Sequence, residues 1–345
     1  MTNIIDKPTT IPVGELTAKD FKTQLDVRWC AGCGDYSVLA QLQKLMPTLG
    51  IPRENFCVVS GIGCSSRFPY YVNVYGFHTM HGRALPVASG IKIANPNLSV
   101  WVITGDGDGM AIGGNHFIHA IRRNMDLKIL LLNNQIYSMT KGQYSPTSPQ
   151  FAKTKSSPFG VLDYPFNPVS LALGSGATFA ARSSASNPKH LSYVMERAAK
   201  HKGISFVEIY SNCVIFTDGA FEKWTDKHFV DENSIFLEDG KTLVYGQNRD
   251  KGIIIDDLQP KSVKIGEQYT EADLIKYNEK NLALAQMIAT MSYDNDLPRP
   301  FGVFYDIEKP SYNELVNKQI EDIINRSGRG DVNKLLLGDD YWEIK

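Results

Sequence analysis

The feature that most constrains this chain is a series of short, uninterrupted apolar runs, each about one strand long. N-F-C-V-V-S around Cys57, L-S-V-W-V-I-T from Leu98, L-K-I-L-L-L from Leu127, T-F-A-A at Thr178 and I-S-F-V-E-I-Y from Ile204 read as strands. Strands without polar alternation are buried on both faces, the pattern of a mostly parallel sheet covered by helices on each side. The segments between them have helical spacing. From Asp35 to Leu49, apolar residues fall at Val38, Leu39, Leu42, Leu45, Met46 and Leu49, with Asp35 as N-cap and Gly50 as stop. Helices are also expected from Leu85, from Ile112 and over Lys189 to Lys200. The fold class is therefore α/β, with right-handed crossovers.

Beyond Cys213 the pattern loosens. K-T-L-V-Y, preceded by E-D-G, reads as part of a hairpin; Glu271 to Met291 and Tyr312 to Ile324 read as helices. Three parts are expected: a polar N-terminal arm over residues 1–24, a main domain over 25–220, and an extension over 221–345 that packs on the core or on a partner subunit.

Charge excludes some functions. The chain has 36 basic and 37 acidic residues and no basic run, so neither nucleic acid nor an anionic membrane is an expected partner. The N-terminus M-T-N-I-I-D-K-P lacks a basic stretch followed by an apolar one, and no apolar segment is long enough to span a bilayer. A cytoplasmic location is the expectation. The five cysteines are then read as ligands, reactive thiols or core residues rather than structural disulfides.

Two motifs point to a diphosphate. G-D-G-D at Gly105 to Asp108 follows one strand, and N-N at Asn133 and Asn134 ends another, with 25 residues between Gly107 and Asn133. Both lie at carboxyl ends of parallel strands, where open α/β sheets bind ligands. Glycines let backbone approach a diphosphate, and a carboxylate with an amide oxygen suits Mg²⁺. Singly, each motif is an ordinary turn. As a spaced pair they match the thiamine diphosphate pattern.

The cysteines leave more open. Cys30 and Cys33 form a Cys-x-x-Cys pair before a helix; Cys64 in S-G-I-G-C-S-S-R and Cys213 in Y-S-N-C-V-I each follow a strand. A redox pair, a zinc site and a four-thiolate iron–sulfur cluster are all compatible with this set. Cys57, inside a strand, reads as a small core residue. His116 and His119, three apart on a helix with no acidic neighbour, read as packing residues.

The whole order of motifs is more specific than any one of them. W-C-A-G-C-G, G-I-G-C-S-S-R, H-G-R-A-L-P-V-A-S-G-I-K, G-D-G-D, N-N-Q-I-Y-S-M-T-K-G-Q-Y-S-P-T and S-N-C-V resemble the beta subunits of the 2-oxoacid:ferredoxin oxidoreductases over roughly residues 25–220. Within that family the 2-oxoglutarate enzymes are the nearest expectation. The resemblance implies a thiamine diphosphate-binding fold, thiamine diphosphate, Mg²⁺ and one 4Fe-4S cluster. It implies Cys30, Cys33, Cys64 and Cys213 as cluster ligands, and Asp106, Asn134 and the Ile136 carbonyl as magnesium ligands. It places Ile62, Gly63, Cys64, Ser65, His81, Gly105, Gly107, Asp108, Ser138 and Met139 around the cofactor.

The implied reaction is coenzyme A-dependent oxidative decarboxylation of 2-oxoglutarate to succinyl-CoA and CO₂, with electrons passing through the cluster to ferredoxin. The implied assembly is two alpha and two beta subunits, and the glutamate that activates the thiamine belongs to the alpha partner. No C-x-x-C-x-x-C-x-x-x-C-P run is present, so no ferredoxin-type domain is expected. The chain departs from the family pattern at three places. Ala31 stands where Pro is usual, and Ser138 and Lys141 stand where many members have glycine. Lys141 and Arg67 are candidate catalytic residues, as contacts for the substrate's second carboxylate. Alternative readings are pyruvate or broad 2-oxoacid specificity, a non-oxidative thiamine enzyme, and a zinc-bearing structural subunit.

Overall fold

The computed structural model describes residues 12–266, 268–294 and 296–344, so most of the expected arm, residues 1–11, lies outside the described residues. The apolar runs become the strands β1 (Phe56–Ser60), β3 (Ser99–Gly105), β4 (Lys128–Asn133), β7 (Phe179–Ser184) and β8 (Ser205–Tyr210). Every residue of β1, β4, β7 and β8 is buried. A short strand, β2 (Tyr75–His78), flanks β1, and two late strands, β9 (Ser234–Leu237) and β13 (Arg299–Asp306), complete the other side. The order is β2-β1-β3-β4-β8-β7-β13-β9. All neighbours run parallel except β7 with β13.

Alternation along the strands builds two cores. Cys57, Val59, Val102, Ile129 and Leu131 face one side, under α3 (Ala84–Ala94), α4 (Gly114–Arg122), α5 (Pro168–Gly174) and α9 (Leu282–Thr290). Val58, Trp101, Ile103, Leu130 and Leu132 face the other, under α1 (Asp35–Leu45), the short α2 (Phe68–Tyr71) and α6 (Pro188–Lys200). Each fully buried Leu, Ile or Val contributes about 1.5–3 kcal/mol, which is why these runs decide the fold. Helices α5 and α6 open with Asn167 and Asn187 capping the Ser170 and His190 amides, each followed by Pro at the first helical position.

Four differences from the sequence reading stand out. Gly34, not Asp35, is the N-cap of α1, and Asp35 is buried. The described part of the arm lies on the domain: Phe21 is buried edge-on against Phe56, and Lys22 bridges to Val72. The expected helix from Glu271 is a single turn at Glu271–Asp273, then extended chain, and α9 starts only where Asn281 caps the Leu284 amide. The hairpin forms further on. β10 (Val244–Tyr245) pairs with β11 (Lys251–Asp256), and β11 turns tightly into β12 (Gln259–Lys264) through Asp257 and Leu258, both at positive φ, as a two-residue hairpin turn requires.

Residues 221–345 are therefore more than an appendage to the core. They supply β9 and β13 to the main sheet, reached through the single-turn helices α7 (Glu222–Thr225) and α8 (Val230–Asn233). The chain ends in two exposed helices, α10 (Tyr312–Ser327) and α11 (Val332–Leu337). Among the described residues no helix is long and apolar enough to cross a membrane.

Candidate functional site

The loops that leave β1, β3 and β4 at their carboxyl ends enclose a cavity of about 150 Å³. Ile62, Gly63, Cys64 and Ser65 come from the first loop and Gly105, Asp106, Gly107 and Asp108 from the second. Asn134, Ile136, Ser138 and Met139 come from the third, where β5 (Ile136–Tyr137) pairs with β6 (Gln143–Tyr144), and His81 closes one side. Asp35, Tyr137 and Thr140 also line it, although the sequence reading gave Asp35 only a capping role and assigned no site role to Tyr137 or Thr140. The cavity is smaller than the ~300 Å³ at which small-molecule sites begin.

Asp108 holds the loops in register. Its Oδ1 accepts from His81 Nδ1 at 2.7 Å, Gly82 N at 2.7 Å and Ile62 N at 3.0 Å, and its Oδ2 accepts from Thr104 Oγ1 at 2.7 Å. In the neutral His81 ring, Nδ1 donating to this carboxylate leaves Nε2 as the acceptor. The backbone is tailored to this carboxylate, because a Cβ at Gly61 would lie 2.0 Å from its Oδ2. After Asp108 the chain makes a π-helical turn through Ile112, a local widening found often at functional sites. Gly107 is required for a different reason: a Cβ there would sit 2.3 Å from the Tyr137 ring, whose hydroxyl donates to the Gly107 carbonyl at 2.8 Å.

Asp106 is 2 % exposed, and burial pushes its carboxyl up from the ordinary value, against the pull of two hydroxyls. Those hydroxyls are Ser145 Oγ and Thr147 Oγ1, each 2.6 Å from Oδ2. The same Thr147 oxygen lies 2.9 Å from Asn133 Oδ1; Asn133 Nδ2 donates to Glu208 Oε1 at 2.8 Å, and Arg182 Nε donates to Glu208 Oε2 at 2.7 Å. This buried polar line runs from the cavity floor across β4, β8 and β7. Asn134 turns the other way: its Oδ1 accepts from Ile136 N at 3.2 Å and its Nδ2 donates to Ser138 Oγ at 3.2 Å.

The three segments that carry Cys30 and Cys33, Cys64 and Cys213 are tied to one another by hydrogen bonds. Trp29 Nε1 donates to the Cys64 carbonyl at 2.7 Å, and Gly34 N donates to the Asn212 carbonyl at 3.1 Å. The Cys30–Cys33 loop is thus fastened to both other cysteine loops. Gly34 permits the approach, since a Cβ would meet Ser211 Oγ at 2.6 Å. Thr217, bridged to Cys213, donates its hydroxyl to the Asn134 carbonyl at 2.8 Å. Burial raises the Cys33 thiol, and the charges of Asp35, Cys64 and Cys213 push it further. Burial likewise raises Cys64, opposed by the Ser138 hydroxyl. Asp35, buried against Ser211 Oγ at 2.8 Å, is pushed up to about 6 by desolvation. All five cysteines are free thiols. Among the described residues no three His, Cys, Asp or Glu side chains close into a metal-holding group, His116 and His119 included.

The two candidate substrate contacts lie elsewhere. Arg67 is outside the cavity lining, with its guanidinium 3.4 Å from the Tyr71 hydroxyl. Lys141 is exposed on the β5–β6 turn, also outside the lining, and holds φ +81°, an unusual conformation for a residue with a side chain.

Comparison with known proteins places this geometry. The family description "Thiamine pyrophosphate enzyme, C-terminal TPP binding domain" matches residues 61–209. The 2-oxoglutarate oxidoreductase subunit KorB of Mycobacterium tuberculosis is 43% identical over 330 residues, covering 94% of this chain and 88% of that protein. The 2-oxoglutarate synthase subunit KorB of Archaeoglobus fulgidus is 48% identical over 54% of this chain and 69% of its own. Among solved structures, the 2-oxoglutarate:ferredoxin oxidoreductase from Magnetococcus marinus, with 2-oxoglutarate, coenzyme A and succinyl-CoA bound, superposes with a TM-score of 0.74 at 32% identity. That match covers 93% of this chain and 95% of the other.

Proposed function

The chain belongs to the beta subunits of the 2-oxoacid:ferredoxin oxidoreductases, and we propose that it works on 2-oxoglutarate, forming succinyl-CoA and CO₂ with coenzyme A and passing electrons to ferredoxin. The observation that carries this reading is the single cavity where the G-D-G-D loop, the N-N loop and the Cys64 loop meet. Relatives named for 2-oxoglutarate and a solved enzyme holding 2-oxoglutarate and succinyl-CoA support the choice of substrate. The small cavity supports an alpha partner that completes the site in a cytoplasmic assembly of two alpha and two beta subunits.

The residues suit the implied groups. Asp106, Asn134 and the Ile136 carbonyl would hold Mg²⁺; they are hard oxygen donors lining one cavity. Cys30, Cys33, Cys64 and Cys213 would hold a 4Fe-4S cluster. They are four soft donors on loops fastened to one another, and coordination to iron would stabilise the thiolates that burial otherwise disfavours. When bound, thiamine diphosphate supplies the electron sink for decarboxylation, and the cluster supplies one-electron steps. The chain's own part is positional. Gly107 keeps the backbone open at the cavity wall, Asp108 fixes the His81 ring with Nε2 as acceptor, and Asp106 is braced from behind by two hydroxyls.

Lys141 is assigned to the distal carboxylate of the substrate. A lysine held at φ +81° costs roughly 1–2 kcal/mol, a strain of the kind that collects at functional sites. The test is viologen reduction by the complex purified with its partner, given 2-oxoglutarate, pyruvate or branched 2-oxoacids. Preference for 2-oxoglutarate is expected, with Lys141→Gly losing kcat/KM for 2-oxoglutarate and not for pyruvate. A wild-type preference for pyruvate overturns the assignment.

A further inference from the structure

We infer that the Ser138 hydroxyl donates a hydrogen bond to the Cys64 sulfur and thereby raises the reduction potential of the cluster that Cys64 helps to hold. This rests on the cluster reading above, and takes it one step further, to a residue that is not itself a ligand.

The direction of the bond follows from counting protons. Asn134 Oδ1 accepts from the Ile136 amide at 3.2 Å, which turns its Nδ2 toward Ser138 Oγ, also at 3.2 Å. An amide nitrogen only donates, so the serine oxygen is the acceptor in that contact. The hydroxyl has one proton, and its remaining polar neighbour is Cys64 Sγ at 3.4 Å. With Cys64 bound to iron its sulfur carries no proton and can only accept, so in this contact the serine hydroxyl is the donor. The geometry is held at both ends. Cys64 is fixed through its carbonyl by Trp29 Nε1, and the Asn134 carbonyl is fixed by Thr217 Oγ1.

When the cluster takes one electron, one negative charge is added, and part of it resides on the ligating sulfurs. A hydroxyl directed at such a sulfur stabilises the reduced state more than the oxidised one, which raises the potential. Ser138 also lines the cofactor cavity, so one side chain touches both the metal-side asparagine and the cluster-side cysteine.

The experiment is an equilibrium redox titration of the anaerobically purified complex, followed by electron paramagnetic resonance, with iron content measured on the same samples. Ser138→Ala and Ser138→Gly are expected to keep their iron and to move the midpoint to more negative potential. Ser138→Thr, which keeps the hydroxyl, is expected to stay at the wild-type value. A full complement of iron with an unchanged midpoint in both the alanine and glycine variants overturns the inference and leaves the cluster reading standing. A threonine variant that shifts as far as alanine overturns it as well, because bulk rather than the hydroxyl would then be responsible. A wild-type complex without iron removes the cluster reading, and this inference falls with it.

Discussion

Asp108→Asn isolates what the second acid of G-D-G-D does. The wild-type Oδ1 accepts three donors, at 2.7, 2.7 and 3.0 Å, and Oδ2 accepts a fourth at 2.7 Å. A carboxylate can satisfy four donors; an asparagine keeps one carbonyl oxygen with two lone pairs. Thr104 can rotate to accept from the new amide nitrogen. The three donors on Oδ1 must then share a neutral oxygen, and one is left poorly satisfied in a buried site. Hydrogen bonds to a charged group contribute about 1.5–3 kcal/mol against about 0.5–1.5 for neutral ones, so three weakened bonds lose roughly 3 kcal/mol. The smaller cost of burying an amide rather than a carboxylate offsets part of this, leaving about 2 kcal/mol. Urea and thermal unfolding of the purified variant measure it, and Gly61→Ala, which drives a methyl group into the same carboxylate, is expected to be at least as damaging. Cofactor affinity falls in both because the β1 loop and the His81 turn lose their common anchor. An Asp108→Asn protein that unfolds at the wild-type midpoint with the wild-type slope would refute the reasoning.

Two further outcomes test other parts of the molecule. Cys213→Ala is expected to lose the visible absorption of the cluster while Cys57→Ala keeps it, since Cys57 is 1 % exposed within β1 and faces the opposite core; equal loss from both would contradict the ligand assignment. His190, packed edge-on against Phe236 with Nδ1 2.8 Å from Ser183 Oγ, is pushed down to about 4 by desolvation. Its unfolded value is about 6.5, so the stability tied to the neutral ring is fully present above pH ~6.5 and is lost as pH falls toward 4, by about 3 kcal/mol. Unfolding of wild type and His190→Asn between those limits should converge at low pH, and parallel curves would show that this histidine does not carry the dependence.

The parallel core and the G-D-G-D and N-N loops were legible because each rests on a local signal, whereas Ile62, Ser65, His81, Ser138 and Met139 were placed at the cavity only through the family resemblance. Continuous apolar runs mark doubly covered strands, and strand-end glycines with acids or amides mark the crevice. What escaped reading lacked such a signal. All four residues of β2, Y-G-F-H, are exposed, so its pairing with β1 leaves no periodicity. β13 contains Pro300 and Gly302, the latter at φ +119° next to a shift in register, and both residues dilute a strand pattern. Leu274 and Tyr277 mimic helical spacing, yet Leu274 packs on Ile254 and Val263 of the small antiparallel sheet, and the Tyr277 hydroxyl donates to the Phe304 carbonyl at 2.6 Å. Asp35 has the residue type and position of an N-cap. That it is instead a buried acid beside the thiols depends on Ser211, 176 positions away in sequence.

The strand order has a consequence for how the molecule is made. β7 is translated early, yet its outer edge is covered only by β13; β9, made before β13, has no other partner in the sheet. Between synthesis of Tyr210 and Asp306 the ribosome adds roughly 100 residues, on the order of 5–20 s at ordinary elongation rates. For much of that interval the nascent chain carries the parallel strands with an open β7 edge, an orphan β9 and one face of the sheet still waiting for α9. Such an edge is a template for unwanted strand pairing. Ribosomes stalled or terminated within that window would therefore release an aggregation-prone product, whereas completion of Arg299–Asp306 covers the β7 edge and pairs β9 in one step.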